Sequence, residues 1–101
     1  DNISAASAQI RLHRMLVTWP ENATWNSMTN GIQTDDVEAM SSHDAQVADP
    51  TNPGTEVITG LAAALQYWSD GNPNHGWVLI SNSTDGWDVD SSEAATSANR
   101  P

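Results

Sequence analysis

A chain of 101 residues is one domain at most, and it carries 13 acids against three basic side chains for a formal charge of −10. Such a chain repels polyanions, which argues against nucleic-acid binding and against anionic membranes. It has no Cys, which excludes disulfides and Cys-ligated metals. No apolar run approaches the ~20 residues of a membrane-inserted helix.

The three cations are Arg11, Arg14 and Arg100, and there is no Lys. This acidity fits a secreted protein from a saline setting, where salt screens carboxylate repulsion, and it fits ordinary acidic drift equally well. Phe is absent, so the large apolar area rests on Trp19, Trp25, Trp68, Trp77, Trp87 and Tyr67. Several of these rings must serve as core. A chain that opens on Asp1 without a Met or a signal-like stretch is read as a processed or excised piece.

In chain order, the first element is a strand over residues 8–19 (AQIRLHRMLVTW). Alternation puts Ile10, Leu12 and Leu16 on one face and Arg11, His13 and Met15 on a mostly polar outer face. Residues 20–54 are dense in turn formers and carry no sustained helical stripe. They are expected to form a long loop with one short strand near Val37–Met40.

Thr59 stands where an N-cap would precede GLAAALQYWSDG, in which Leu61, Leu65 and Trp68 share a helical face and Gly71 stops the helix. After the turn GNPN, residues 76–81 (GWVLIS) form a strand, residues 81–86 (SNSTDG) a hairpin turn, and residues 87–91 (WDVDS) the returning strand. The tail is polar. Short strands, long loops and one helix predict an all-β fold, a β-sandwich or jelly roll, with no internal repeat and no linker.

Three stretches together resemble a known family. The string TWPENATWNSMTNGIQTDDVEA, the segment EVITGLAAALQYWSDGNPNHGWVLI and the end DSSEAATSANRP are similar to the DNRLRE domain, which is related to carbohydrate-binding module family 96. Family-type positions are matched by Thr59, Leu65, Gln66, Trp68, Gly71, Asn74, Gly76, Trp77, Ser91, Ser92, Glu93, Arg100 and Pro101. Glu56 stands where the family carries Asp, and His75 where it carries an aromatic, so no ring-stacking role transfers to position 75.

The resemblance spans most of residues 8–101 and implies a jelly roll of secreted bacterial and archaeal proteins that lacks here its N-terminal strands and its last strand. On that reading residues 1–101 are a single sandwich domain or the C-terminal part of one. Its function would be noncatalytic carbohydrate binding or adhesion at an extracellular location or cell surface. The alternative is a purely structural module whose open sheets another chain completes. The partners are accordingly a polysaccharide or a second protein chain.

A sugar site needs a flat aromatic face flanked by amides or acids. Trp68 and Trp77 follow apolar spacing and are assigned to packing, and so is Trp19. Trp25 lies among Asn22, Asn26 and Asn30, and Trp87 among Asn82, Asp85 and Asp88. Trp25, Asn26, Asn82 and Trp87 are therefore the carbohydrate-binding candidates.

Asp85, Asp88 and Asp90, with Gly86 at the bend, offer alternating carboxylates of the kind calcium uses. The spacing departs from the EF-hand pattern, and a hairpin with acids facing solvent is the preferred reading. Asp35, Asp36, Glu38, Asp44 and Asp49 form a second acidic group, read as a solvated loop. His13, His43 and His75 are far apart and lack a helical i, i+4 partner, so they are read as incidental. No G-x-S-x-G elbow is present and no carboxylate pair stands out, and an enzyme is not expected. Asn22-Ala-Thr and Asn82-Ser-Thr match the N-glycosylation acceptor pattern, which has meaning only in a glycosylating host.

Overall fold

The computed structural model describes residues 9–48, 54–82 and 90–99. Among these, three strands form one antiparallel sheet, β1 (Ile10–Met15), β2 (Ala39–Val47) and β3 (Trp77–Ser81), in the order β2-β1-β3. One helix, α1 (Ala62–Ser69), lies between β2 and β3 in sequence, and a single 3-10 turn covers Ser97–Asn99. The sheet and helix agree with a mostly β chain.

β1 is the central strand, and its position overturns the reading of a polar outer face. His13 and Met15 are buried along with Ile10, Leu12 and Arg14. The physical reason is that both faces of β1 are covered. On one face Ile10, Leu12 and Val47 form a cluster against which Ile58, Leu61 and Trp77 pack. On the other, Met15 faces a cleft whose walls include Met28 and Ile32 of the segment after β1.

The second correction concerns residues 20–54. The expected long loop contains the nine-residue strand β2, most of it beyond the short strand expected near Val37–Met40. Ala39 and Met40 belong to β2, whereas Val37 is exposed and precedes it. Period-2 patterning failed here because the ladder is irregular. Ile10, Arg11 and Leu12 pair with Val47, Gln46 and Ala45, but His13 pairs with His43 and Met15 with Ala39. Each register shift inserts extra β2 residues opposite β1, so inward positions no longer alternate.

β3 pairs with β1 in regular register from Ile10↔Ser81 to Arg14↔Trp77. The helix begins later than Thr59 suggested. Leu61 is the N-cap and no side chain caps it, so Thr59 does not take that role. Gly71, at φ +95, does end the helix, and its N–H donates to the Trp68 carbonyl at 3.0 Å. The hairpin over 81–86 and the returning strand over 87–91 fall largely outside the described residues. Asp90 and Ser91, at the far end of that strand, are not in a strand.

Candidate functional site

The segment between β1 and β2 carries the most exposed aromatic among the described residues. Trp25 is 69% exposed, and its position is built by local backbone chemistry. Thr24 and Ser27 clasp each other: Thr24 N–H donates to Ser27 Oγ at 2.8 Å, and Ser27 N–H donates to Thr24 Oγ1 at 3.2 Å. This reciprocal arrangement is a capping box, and it starts one helical turn closed by Met28 N–H to the Thr24 carbonyl at 3.1 Å.

The turn ends on three successive left-handed residues, Thr29, Asn30 and Gly31, with φ of 53, 72 and 82. Gly31 N–H then donates to the Trp25 carbonyl at 3.0 Å. Gly31 is required for a second reason as well. A Cβ there would overlap Cζ3 and Cε3 of the Trp25 ring, so the bare backbone forms a seat under the indole. One side of the ring is thereby held and most of the residue stays open to solvent. Asn22, Asn26 and Asn30 are exposed in the same segment, which leaves their amides open to water.

Trp19 is the second ring of this segment. Its Nε1 donates to the His75 carbonyl at 2.9 Å, and Thr18 Oγ1 stands 3.5 Å from His75 Nδ1. These contacts pin the segment to the chain just before β3, in agreement with a packing role, although Trp19 remains 41% exposed. Between the segment and β3 lies an open cleft of about 310 Å³ whose lining includes Met15, Trp19, Ala23, Met28, Ile32 and Leu79. The side chains lining it are apolar.

A buried polar cluster lies on the opposite side of β1, toward α1. Arg14 and Asp44 form a two-pronged ion pair, with Nη2 to Oδ1 at 2.8 Å and Nε to Oδ2 at 3.1 Å. Trp77 Nε1 also donates to Asp44 Oδ2 at 2.8 Å, and the Arg14 guanidinium lies 4.6 Å from the centre of the Tyr67 ring. Trp68 packs against Trp77 with ring centres 4.5 Å apart, which joins α1 to the sheet and supports the packing assignment of both rings. Burial pushes the Asp44 carboxyl up, but the hydrogen bonds from Arg14 and Trp77 and the charge of Arg14 outweigh this and hold it below the usual carboxylate range.

The acids after Gly31 have structural partners. Glu38 accepts from Gln33 N–H, Asp35 from Val37 N–H, and Asp36 from both N–H and Oγ of Ser41. Those bonds, the backbone one first, lower the Asp36 pKa. Asp35 and Asp36 are exposed and Glu38 is half-buried, whereas Asp44 is taken by Arg14 and Trp77, so the solvated-loop reading fails for Asp44. Asp49 lies outside the described residues.

Of the carbohydrate candidates, the structure places Trp25 and Asn26 side by side on the exposed turn. Asn82 is engaged elsewhere: its Oδ1 accepts Gln9 N–H at 2.9 Å and its Nδ2 donates to Gln9 Oε1 at 3.1 Å. That clasp lies at the start of β1, whereas the Trp25 turn follows the end of β1. Trp87, Asp85 and Asp88 lie outside the described residues. Asp90 is exposed, and among the described residues no three His, Cys, Asp or Glu side chains come together as a metal-binding group. Asn22, the first glycosylation candidate, is exposed.

The sequence reading missed the seat and the polar cluster. Thr24-x-x-Ser27 and the Asn30-Gly31 dipeptide were signals for the first. The Arg14–Asp44 pair had no local signal, because it depends on strand pairing across the sheet. These features define a small antiparallel sheet that presents an aromatic turn beside an apolar cleft. Compared with protein-family models, curated proteins and solved structures, the chain matches none.

Proposed function

We propose that the protein is a noncatalytic carbohydrate-binding module whose platform is Trp25, the reading implied by the resemblance to the DNRLRE domain and its jelly roll. The observation that carries it is the Trp25 ring, seated on Gly31 and 69% exposed. A large aromatic face kept open to water is costly for a molecule with so few large apolar residues, and a pyranose stacks its C–H face on such a ring. Asn22, Asn26 and Asn30 supply both donors and acceptors for sugar hydroxyls. The location that fits this role is extracellular or at a cell surface.

The charge favours an uncharged sugar. Arg14 is paired with Asp44, so its guanidinium is not offered to a uronate or sulfate, whereas Arg11 bonds Gln46 Oε1 through Nε alone. The net charge of −10 adds long-range repulsion of anionic chains. Affinity electrophoresis through gels containing neutral polysaccharides and alginate tests this. Retention is expected in at least one neutral gel and lost in Trp25→Ala; unchanged mobility throughout contradicts it.

A second reading, a structural module paired with another chain, is favoured by the position of β3 at the edge of the sheet among the described residues, with Leu79 49% exposed. Light scattering on the isolated chain separates the two. A monodisperse folded monomer removes the structural reading and leaves the first intact.

A further inference from the structure

His13 and His43, thirty residues apart in sequence, are direct cross-strand partners in the β1–β2 ladder. Residues paired in this way project to the same side of a sheet, and their rings meet edge to face with centres 5.9 Å apart. His13 is buried, whereas His43 is exposed, so the pair reaches from the sheet to the solvent. Helical i, i+4 spacing cannot reveal such a pair, because it is made by strand pairing.

The tautomer of His13 is fixed by its surroundings. His13 Nδ1 lies 2.8 Å from the Met40 carbonyl. A carbonyl oxygen can only accept, so Nδ1 carries a proton, and in the neutral ring Nε2 is the nitrogen with the lone pair. A carbonyl that takes the far N–H of an imidazole is the arrangement found behind metal-bound histidines, where it sets ring orientation and raises ligand basicity.

The separation also suits a shared ion. Metal–nitrogen bonds of about 2.0–2.1 Å, added to about 1.1 Å from ring centre to nitrogen, put centre-to-centre distances near 5.2 Å for a tetrahedral angle and near 6.3 Å for a linear one. The observed 5.9 Å falls inside that interval, so the two strands already hold the rings at a chelating separation. Calcium prefers oxygen donors, whereas two neutral imidazoles select zinc or copper(II).

We infer that His13 and His43 form a two-histidine chelate for a divalent transition metal, with water completing the coordination. The site is independent of the carbohydrate reading and of the acids around Asp85. It is tested by titrating zinc into the full chain by calorimetry at pH 7.5, with His43→Ala and His75→Ala as variants. His43 is exposed, so its replacement leaves the fold in place, and circular dichroism verifies this.

The expected result is one zinc per chain, at least tenfold weaker binding in His43→Ala, and a change of less than twofold in His75→Ala. Long-range proton–nitrogen NMR of the imidazoles should show the metal on Nε2 of His13. Equal affinity in wild type and His43→Ala overturns the inference. One zinc per two chains, or no heat up to millimolar zinc, overturns it as well.

Discussion

Replacing Asp44 by Ala removes the acceptor shared by Arg14 and Trp77 while leaving both donors in place. The Arg14 and Asp44 side chains are 10% and 13% exposed, so the stranded guanidinium cannot regain much hydration. Breaking a buried pair by deleting one partner costs about 3–5 kcal/mol, and the residual exposure of this pair argues for the lower end, about 3 kcal/mol. An unfolding entropy of about 2.1 cal/mol/K per residue gives about 0.2 kcal/mol/K for a chain of this length, hence a fall in melting temperature of about 14 °C. Differential scanning calorimetry measures it. The double variant Arg14→Met with Asp44→Ala should be more stable than Asp44→Ala alone, since the uncompensated charge is gone. A fall of less than about 4 °C for Asp44→Ala, or a double variant less stable than the single one, refutes the reasoning.

Because the folded-state pKa of Asp44 is depressed, the stability it contributes is fully present above its unfolded value and lost as pH falls through the folded one. Chemical denaturation from pH 7 to pH 2 should therefore show the gap between wild type and Asp44→Ala constant down to about pH 4 and shrinking below it. Trp77→Phe should cost about 1–2 kcal/mol more than Trp68→Phe, because Trp77 Nε1 bonds a carboxylate whereas Trp68 Nε1 is buried with no hydrogen-bond partner among the described residues. Urea titrations of the two variants measure the difference. Gly31→Ala should disturb the Trp25 seat at a cost of about 1–2 kcal/mol, from both the ring overlap and the positive φ. Its readout is a lower urea midpoint together with a shift of the Trp25 indole N–H resonance in proton–nitrogen NMR.

The strands β1 and β3 were legible because Ile10 and Leu12 alternate with polar residues in β1 and apolar residues run together in WVLIS, and α1 because Leu61, Leu65 and Trp68 repeat at helical spacing, although Leu65 is 55% exposed and Ala64 is the buried residue of the helix. β2 was not, since AMSSHDAQV has small inward residues and two register shifts that break the alternation. The burial of His13 and Arg14 was illegible for a related reason. A polar residue on a central strand reads as solvent-facing until its partner on another strand is known, and Asp44 and Met40 come from thirty and 27 positions away. Of the site, Trp25 and Asn26 were visible as an aromatic among amides, whereas the seat at Gly31 required the backbone path of the turn.

The most direct test of the carbohydrate reading is saturation-transfer difference NMR with a retained neutral oligosaccharide on wild type and Trp25→Ala. The account predicts saturation concentrated on the C–H protons of one pyranose face in the wild type, and its loss in Trp25→Ala while the circular dichroism spectrum and melting temperature stay the same. Equal saturation in a folded Trp25→Ala would contradict it.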